Sequence, residues 1–223
     1  MIAANSPSPL TSEFLIVGEG SGDSFFVDYL CQVRRIPGFQ VEDARGESKF
    51  VTHLKGLKSR RGFEHLKGIL IVSDNDESPD ENFIRIRNYL KDAKLPYPDR
   101  MLTAARRDQV AVVVMMLPYA NGVPTKGCLD TMLLKSLDDK ETELKTCIDT
   151  YRACIAGSNR SKNQEDKFRL RCFIAAMYPE DPNLSLSFAV SPSKGLFDLR
   201  HSSFDEIEGF LRGFPALCEP RRN

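Results

Sequence analysis

Three continuous apolar runs and one shorter alternating stretch organise the first half of the chain. Phe14-Leu15-Ile16-Val17 ends in Gly18, Gly68-Ile69-Leu70-Ile71-Val72-Ser73 runs into Asp74-Asn75-Asp76, and Val110 to Leu117 reads VAVVVMML. Unbroken runs of this length predict strands buried on both faces, as in a parallel sheet. Phe39-Gln40-Val41-Glu42 predicts a fourth, shorter strand. Between them apolar residues recur at helical spacing. Phe25, Phe26, Val27, Tyr29, Leu30 and Val33 predict a helix capped by Ser21 or Asp23 and ended by Pro37-Gly38. Phe50, Val51, Leu54 and Leu57 predict a second over Glu47 to about Arg60. Phe83, Ile86 and Leu90 predict a third, opened by Ser78-Pro79-Asp80-Glu81, where proline suits the first turn and acids suit the positive end of the helix dipole.

Strands alternating with helices imply crossover connections and a mainly parallel four-stranded α/β sheet with helices on both faces. After Pro118 the pattern becomes helical: Leu129 to Leu137, Glu141 to about Ala156, Glu165 to Met177 and Phe204 to Leu211, with Ala156-Gly157-Ser158-Asn159 as a break. The expected organisation is a tail at 1–11, an α/β core at 12–120 and a mostly helical extension at 121–223 packed on that core.

Composition narrows the partners. Lys plus Arg number 31 and Asp plus Glu number 31, so the net charge is zero and a uniformly basic polyanion binder is excluded. No apolar run approaches a membrane span, and MIAANSPSPL lacks the basic and apolar regions of a signal peptide, so a cytoplasmic protein is expected. The six cysteines form no CxxC pair and lie at no zinc spacing from the three histidines, which predicts mostly buried thiols rather than a disulfide framework.

In an open parallel sheet, ligands gather beyond the carboxyl ends of the strands. Two acidic clusters fall there: Glu19 with Asp23, and Asp74 with Asp76. Neighbouring carboxylates repel, so such a cluster takes protons or a hard cation such as Mg²⁺, which accepts one or two carboxylates and keeps several waters. Other motifs fit less well. Gly18-Glu19-Gly20-Ser21-Gly22 lacks the Gly-Lys-Ser/Thr of a P-loop, and Asp23 stands where a dinucleotide fingerprint has its third glycine. Pro79 and Arg85 occupy the glycine and glutamate positions of an EF-hand loop. Asp74-Asn75-Asp76-Glu77-Ser78 resembles the DxDxT loop of haloacid dehalogenase-type phosphatases, but on the wrong strand. The GxGxG segment also resembles the loop of Rossmann-like methyltransferases, which would take S-adenosylmethionine, with Glu42 or Asp43 receiving a ribose.

Glu19-Gly20-Ser21-Gly22-Asp23 followed by Asp74-Asn75-Asp76 resembles the ordered EGxxD and DxD motifs of the TOPRIM domain, shared by topoisomerases, DnaG-type primases and overcoming-lysogenization-defect nucleases. The likeness covers about 12–120. Gly127-Cys128-Leu129-Asp130-Thr131-Met132-Leu133-Leu134 and Gly195-Leu196-Phe197-Asp198 further resemble small stand-alone bacterial TOPRIM-like proteins of unknown function. Those relatives commonly carry Glu where Asp130 stands, so Asp130 is either a shortened metal ligand or an acid at a helix start. The resemblance implies phosphoryl transfer, with Asp74 and Asp76 holding Mg²⁺ or Mn²⁺, Glu19 as general acid/base or a metal ligand, and Asp23 completing a second metal position. None of the six tyrosines has a topoisomerase signature, and no primase zinc motif or ATPase is present. That leaves nuclease-like chemistry, or a metal-binding module acting through a partner protein such as an ATPase in phage defence or DNA repair.

Cationic positioning of a nucleic acid would fall to Lys55, Lys58, Arg60 and Arg61 at the end of the second helix, giving weak, salt-dependent binding. Arg106, Arg107, Lys162, Lys167, Arg169 and Arg171 form further basic groups. A sheet that placed Glu19 and Asp74 on opposite edges would contradict both the expected fold and the expected site.

Overall fold

Period-two alternation along the buried strands supplies two apolar faces, and each face is covered by helices. In chain order the strands are β1 (Phe14–Gly18), β2 (Phe39–Asp43), β3 (Gly68–Asp74), β4 (Ala105–Arg107) and β5 (Val110–Leu117). They form one sheet ordered β2-β1-β3-β5-β4. The four expected strands are parallel, with Gly18 opposite Val72 and Asp74 opposite Leu117. The sheet has five strands rather than four, because Arg106-Arg107 turns through Asp108 and pairs back antiparallel on β5. The polar composition of ARR gives no apolar signature of a strand. The computed structural model describes residues 8–137, 142–155 and 160–220. Most of the expected tail, the expected helix start at Glu141 and the 156–159 break lie outside the described residues.

Helices α1 (Ser21–Arg34), α2 (Glu47–Leu57) and α3 (Pro79–Asp92) make the crossovers. Leu15, Val17, Ile69, Ile71, Val112 and Val114 face Phe50, Leu54 and Leu57 of α2 and Ile86 and Leu90 of α3. Ile16, Leu70, Val72, Val113 and Met115 face Phe26, Val27 and Leu30 of α1. After β5 a short hairpin, β6 (Tyr119–Ala120) and β7 (Val123–Pro124), leads to α4 (Leu129–Lys135), α5 (Thr142–Cys154), α6 (Lys162–Met177), α7 (Leu186–Ala189) and α8 (Asp205–Leu217). Residues of α4, α6 and α8 join the same apolar cluster as α1. Among the described residues no helix is long and apolar enough to cross a membrane.

Local chemistry explains where boundaries differ from the sequence pattern. Helix α6 starts at Lys162 rather than Glu165, because Ser161 and Gln164 form a reciprocal capping box. Helix α8 continues to Leu217, past the expected end at Leu211, and Phe214 and Cys218 pack against the bare backbone of Gly68. Helix α1 is capped at Gly20, not at Ser21 or Asp23; Asp23 sits in the first turn and accepts from the Gly20 N–H at 3.1 Å. Helix α2 stops at Leu57, and the chain turns through Gly62 at φ +94°.

That turn folds Arg60 back into the protein, which corrects its expected place on a basic surface. Arg60 is buried; its Nη1 lies 2.5 Å from Glu42 Oε2, and its guanidinium also donates to the Ser8 carbonyl. His53 Nε2 lies 3.3 Å from the same carboxylate. Burial alone would raise the Glu42 pKa, but hydrogen bonds from Arg60 and His53, and their charge, outweigh it and bring the group down to about 2. Removing one member of such a pair strands the other in a dry site. Arg60→Ala is therefore expected to lower the urea-unfolding free energy by about 3 kcal/mol. The depressed Glu42 pKa contributes stability that is complete above the ordinary carboxylate range and lost as pH falls toward 2. The Arg60→Ala difference should shrink over that acid window in pH-dependent unfolding.

Candidate functional site

The carboxyl ends of β1 and β3 place the expected acids on one sheet edge. Gly18 ends β1 because α1 begins immediately behind it: a Cβ there would collide with Ser24, whose backbone nitrogen would be only 2.7 Å away. Glu19 follows, its N–H donating to the Val72 carbonyl at 2.9 Å, which sets it beside Ser73 and Asp74. Alternation along β3 then separates the neighbours. Ser73 donates to Glu19 Oε2, and Arg85 of α3 lies 3.4 Å from Glu19 Oε1 while pairing with Glu47 at 2.5 Å. Glu19 thus belongs with the α2–α3 face.

Asp74 belongs with the opposite face. Its Oδ1 accepts from the Leu129 N–H at the start of α4, at 2.8 Å. Around it stand Asp23 of α1 and Asp130 of α4, both buried. Desolvation, then the charge of Asp23, raises the Asp74 pKa well above its ordinary value against the Leu129 hydrogen bond; Asp76 and Asp130 add to the rise. Desolvation likewise takes Asp23 up to about 7, opposed by the Gly20 hydrogen bond and assisted by Glu19, Asp130 and Asp43. Asp130 is raised by burial and held back by Lys167. Cys128 Sγ lies 3.6 Å from Asp130 Oδ2, and burial plus the charges of Asp74 and Asp130 push this thiol up to about 12, so it remains protonated.

Asp76 is placed by its loop. Asn75 turns fully inward, donating to the carbonyls of Pro118 and Thr125. Asp76 takes φ +48°, and its carbonyl accepts from Gly127 N–H at 2.9 Å. Asp residues tolerate this left-handed region better than most. Its carboxylate accepts from Asn163 Nδ2 at 3.0 Å and lies 3.9 Å from Lys167 Nζ, both on α6. Burial would lower the Lys167 pKa, but Cys128 and the acids Asp76, Asp74 and Asp130 outweigh it and raise the group. Thr131 of α4 donates to the buried Asp166 of α6 at 2.7 Å, which locks the two helices together.

A family model described as "Protein of unknown function (DUF3226)" matches residues 12–215. The chain belongs to that family. No curated protein matches it. Two solved structures of the C-terminal region of the Xanthomonas campestris pv. campestris OLD protein, phased with mercury and with iodine, are similar to this DUF3226 chain. Their TM-scores are 0.43 and 0.40 at 15% and 14% identity, each covering 93% of this chain and 98% of the other.

In this DUF3226 member, Glu19, Asp23, Asp74, Asp76 and Asp130 lie along one edge of the sheet, Glu19 on one face and Asp23, Asp74 and Asp130 on the other. Lys55, Lys58 and Arg61 do not join them. Helix α2 runs away from that edge and ends where the parallel strands begin; Arg61 accepts there from the Leu10 N–H, and Lys58 donates to the Lys94 carbonyl. Arg106 is held by the Cys218 carbonyl. Lys167 is the basic residue of the expected groups that reaches the acids. Ser73, Arg85, Asn163 and Asp166 are the residues that sequence reading passed over. The donor set suits a hard divalent cation, being all oxygen and mutually repelling. Among the described residues no group of three or more His, Cys, Asp and Glu is gathered to hold a metal ion. Mg²⁺ commonly uses only one or two protein carboxylates and water for the rest.

Of the two ribose acceptors a methyltransferase could use, Glu42 and Asp43, Glu42 is already taken by Arg60 and His53. The raised pKa of Asp23 has its own consequence. A carboxyl whose folded pKa lies above its unfolded value weakens the fold as pH rises between the two. Asp23→Asn, which removes the charge and keeps an acceptor for Gly20, should stabilise the protein at pH 8, and the gain should vanish by pH 4. Urea unfolding at the two pH values measures this.

Proposed function

We propose that the chain is a TOPRIM-like phosphoryl-transfer module acting on a nucleic acid or nucleotide with Mg²⁺ or Mn²⁺. One observation carries the reading: Asp23, Asp74 and Asp130 crowd the carboxyl edge of the sheet, where burial raises the pKa of each, and the charges of Asp23 and Asp130 raise Asp74 further. Packing three carboxyls together on a dry edge costs stability, and a bound divalent cation with phosphate oxygens would offset that cost. Asp74 and Asp76 would hold the ion, with Asp23 and Asp130 beside it; the ion supplies Lewis-acid polarisation of a phosphoryl oxygen. Glu19 would move a proton at the attacking or leaving oxygen, and Ser73 holds its carboxylate at the β1–β3 edge for that role. Lys167 would face the phosphate from α6.

The second reading is a non-catalytic module that works through a partner protein. It is favoured by Arg85, whose ion pair with Glu19 already occupies the proposed acid/base. The two readings part on isolated protein. Calorimetric titration is expected to show weak, saturable Mg²⁺ or Mn²⁺ binding that the Asp74→Asn/Asp76→Asn double variant loses; unchanged titrations would remove the metal. With metal present, wild type should cleave single-stranded or duplex DNA or RNA, while Glu19→Gln stays folded and inactive. Metal binding without cleavage of any of these substrates would favour the partner-dependent module.

A further inference from the structure

The rim of the acid edge carries an aromatic stack that the proposed chemistry leaves unused. Tyr29 and Phe25, one turn apart on α1, stack with centroids 5.8 Å apart and planes 29° apart; Phe25 and Phe188 of α7 continue the stack at 6.3 Å and 30°. The series ends in the open: Phe188 is 57% exposed. Packing does not require that ring, because α7 is anchored by Ala189 and Val190, which are essentially fully buried. Leaving a large aromatic half in water forgoes most of what its burial would contribute.

Position links the stack to the acids. Leu186 of α7 and Leu129 of α4 both close over Gly22, where a Cβ would lie 3.4 Å and 3.9 Å from their methyl carbons. Leu129 is the residue whose N–H holds Asp74. Ser187, next to Phe188, has its hydroxyl 3.3 Å from that of Ser21, two residues from both Glu19 and Asp23. Ser185 adds a third hydroxyl, 3.4 Å from Ser187. An exposed ring face and a row of hydroxyls therefore flank the edge proposed to handle phosphate.

We propose that Phe188, backed by Phe25 and Tyr29, is a stacking platform for an unpaired base, so that the substrate is a single-stranded nucleic acid whose backbone passes the acid edge. The proposal rests on the phosphoryl-transfer reading and adds the strandedness of its substrate. Every base has a π-face, so stacking of this kind binds without reading sequence. A base inside a duplex presents no free face to a protein ring, so paired strands are excluded from the platform.

The test is fluorescence anisotropy at low salt with Ca²⁺ in place of Mg²⁺, so that the acid edge is neutralised while binding is read apart from cleavage. Wild type, Phe188→Ala and Phe188→Trp are titrated against labelled oligothymidylate, an abasic oligomer of the same length and a duplex. Wild type is expected to bind the oligothymidylate about ten-fold more tightly than the abasic strand. Phe188→Ala should lose that difference while keeping abasic binding, and Phe188→Trp should restore it. Equal binding of base-bearing and abasic strands by wild type, or of duplex and single strand, would overturn the platform while leaving a phosphate-binding edge. Absence of binding to all three probes would overturn the platform and the polymer substrate together, whereas metal binding in the calorimetric titration tests the acid site independently. Because Phe188 is exposed, the thermal midpoint of the alanine variant should match wild type. A collapse of both folding and binding that tryptophan does not reverse would make Phe188 structural and end the proposal.

Discussion

A carboxylate at the end of a buried strand needs a donor, and for Asp74 that donor is the Leu129 backbone amide at 2.8 Å. Much of the second half of the chain is arranged by this contact. Docking the first turn of α4 against β3 brings Asp130 beside Asp74 and sets Thr131 where it can reach Asp166 of α6. Helix α6 in turn presents Asn163 and Lys167 to Asp76. Apolar burial along α4, α6 and α8 supplies most of the driving force, being non-directional. The polar chain from Asp74 through Thr131 to Asp166 decides where along the sheet those helices settle.

The same edge is divided by the pleat of the sheet. Side chains of successive strand residues point to opposite faces, so Ser73 and Asp74, though adjacent, serve different neighbourhoods. Glu19 shares its face with Ser73 and Arg85, while Asp74 shares the other with Asp23 and Asp130. Under the proposed chemistry Glu19 would exchange its ion pair with Arg85 for a substrate proton, while Glu47 keeps Arg85 paired. Positive charge is accordingly distributed on both sides: Arg85 beside Glu19, Lys167 beside Asp76.

Apolar continuity made the central strands legible, and the ends of those strands marked Glu19, Asp74 and Asp76 in the sequence. Buried parallel strands allow few other interpretations of runs such as VAVVVMML. Arg106 and Arg107 were legible only as charges, because an edge strand of three residues is made by its partner β5 rather than by its own composition. Arg60 could not be read as buried, since its partner Glu42 lies in another element and nothing in local spacing links them. Arg85 and Asn163 were hidden for the same reason, and Lys167 was legible only as a charge: their roles arise from contacts spanning dozens of residues. The start of α6 was different. Ser161 and Gln164 stand at capping-box spacing, a local signal that the helical periodicity from Glu165 onward obscured.

The two outermost strands of the sheet are unlike its interior. On one side β4 is three residues long and carries Arg106 and Arg107; on the other, every residue of β2 is partly exposed, and the strand closes on Glu42 and Asp43. Short or charged margins of this kind resist the addition of further strands from a neighbouring molecule. Colloidal behaviour follows from that: with zero net charge providing little long-range repulsion, protection against fibrillar growth at high concentration falls to these margins, and neutralising Arg106 and Arg107 would remove it on one side.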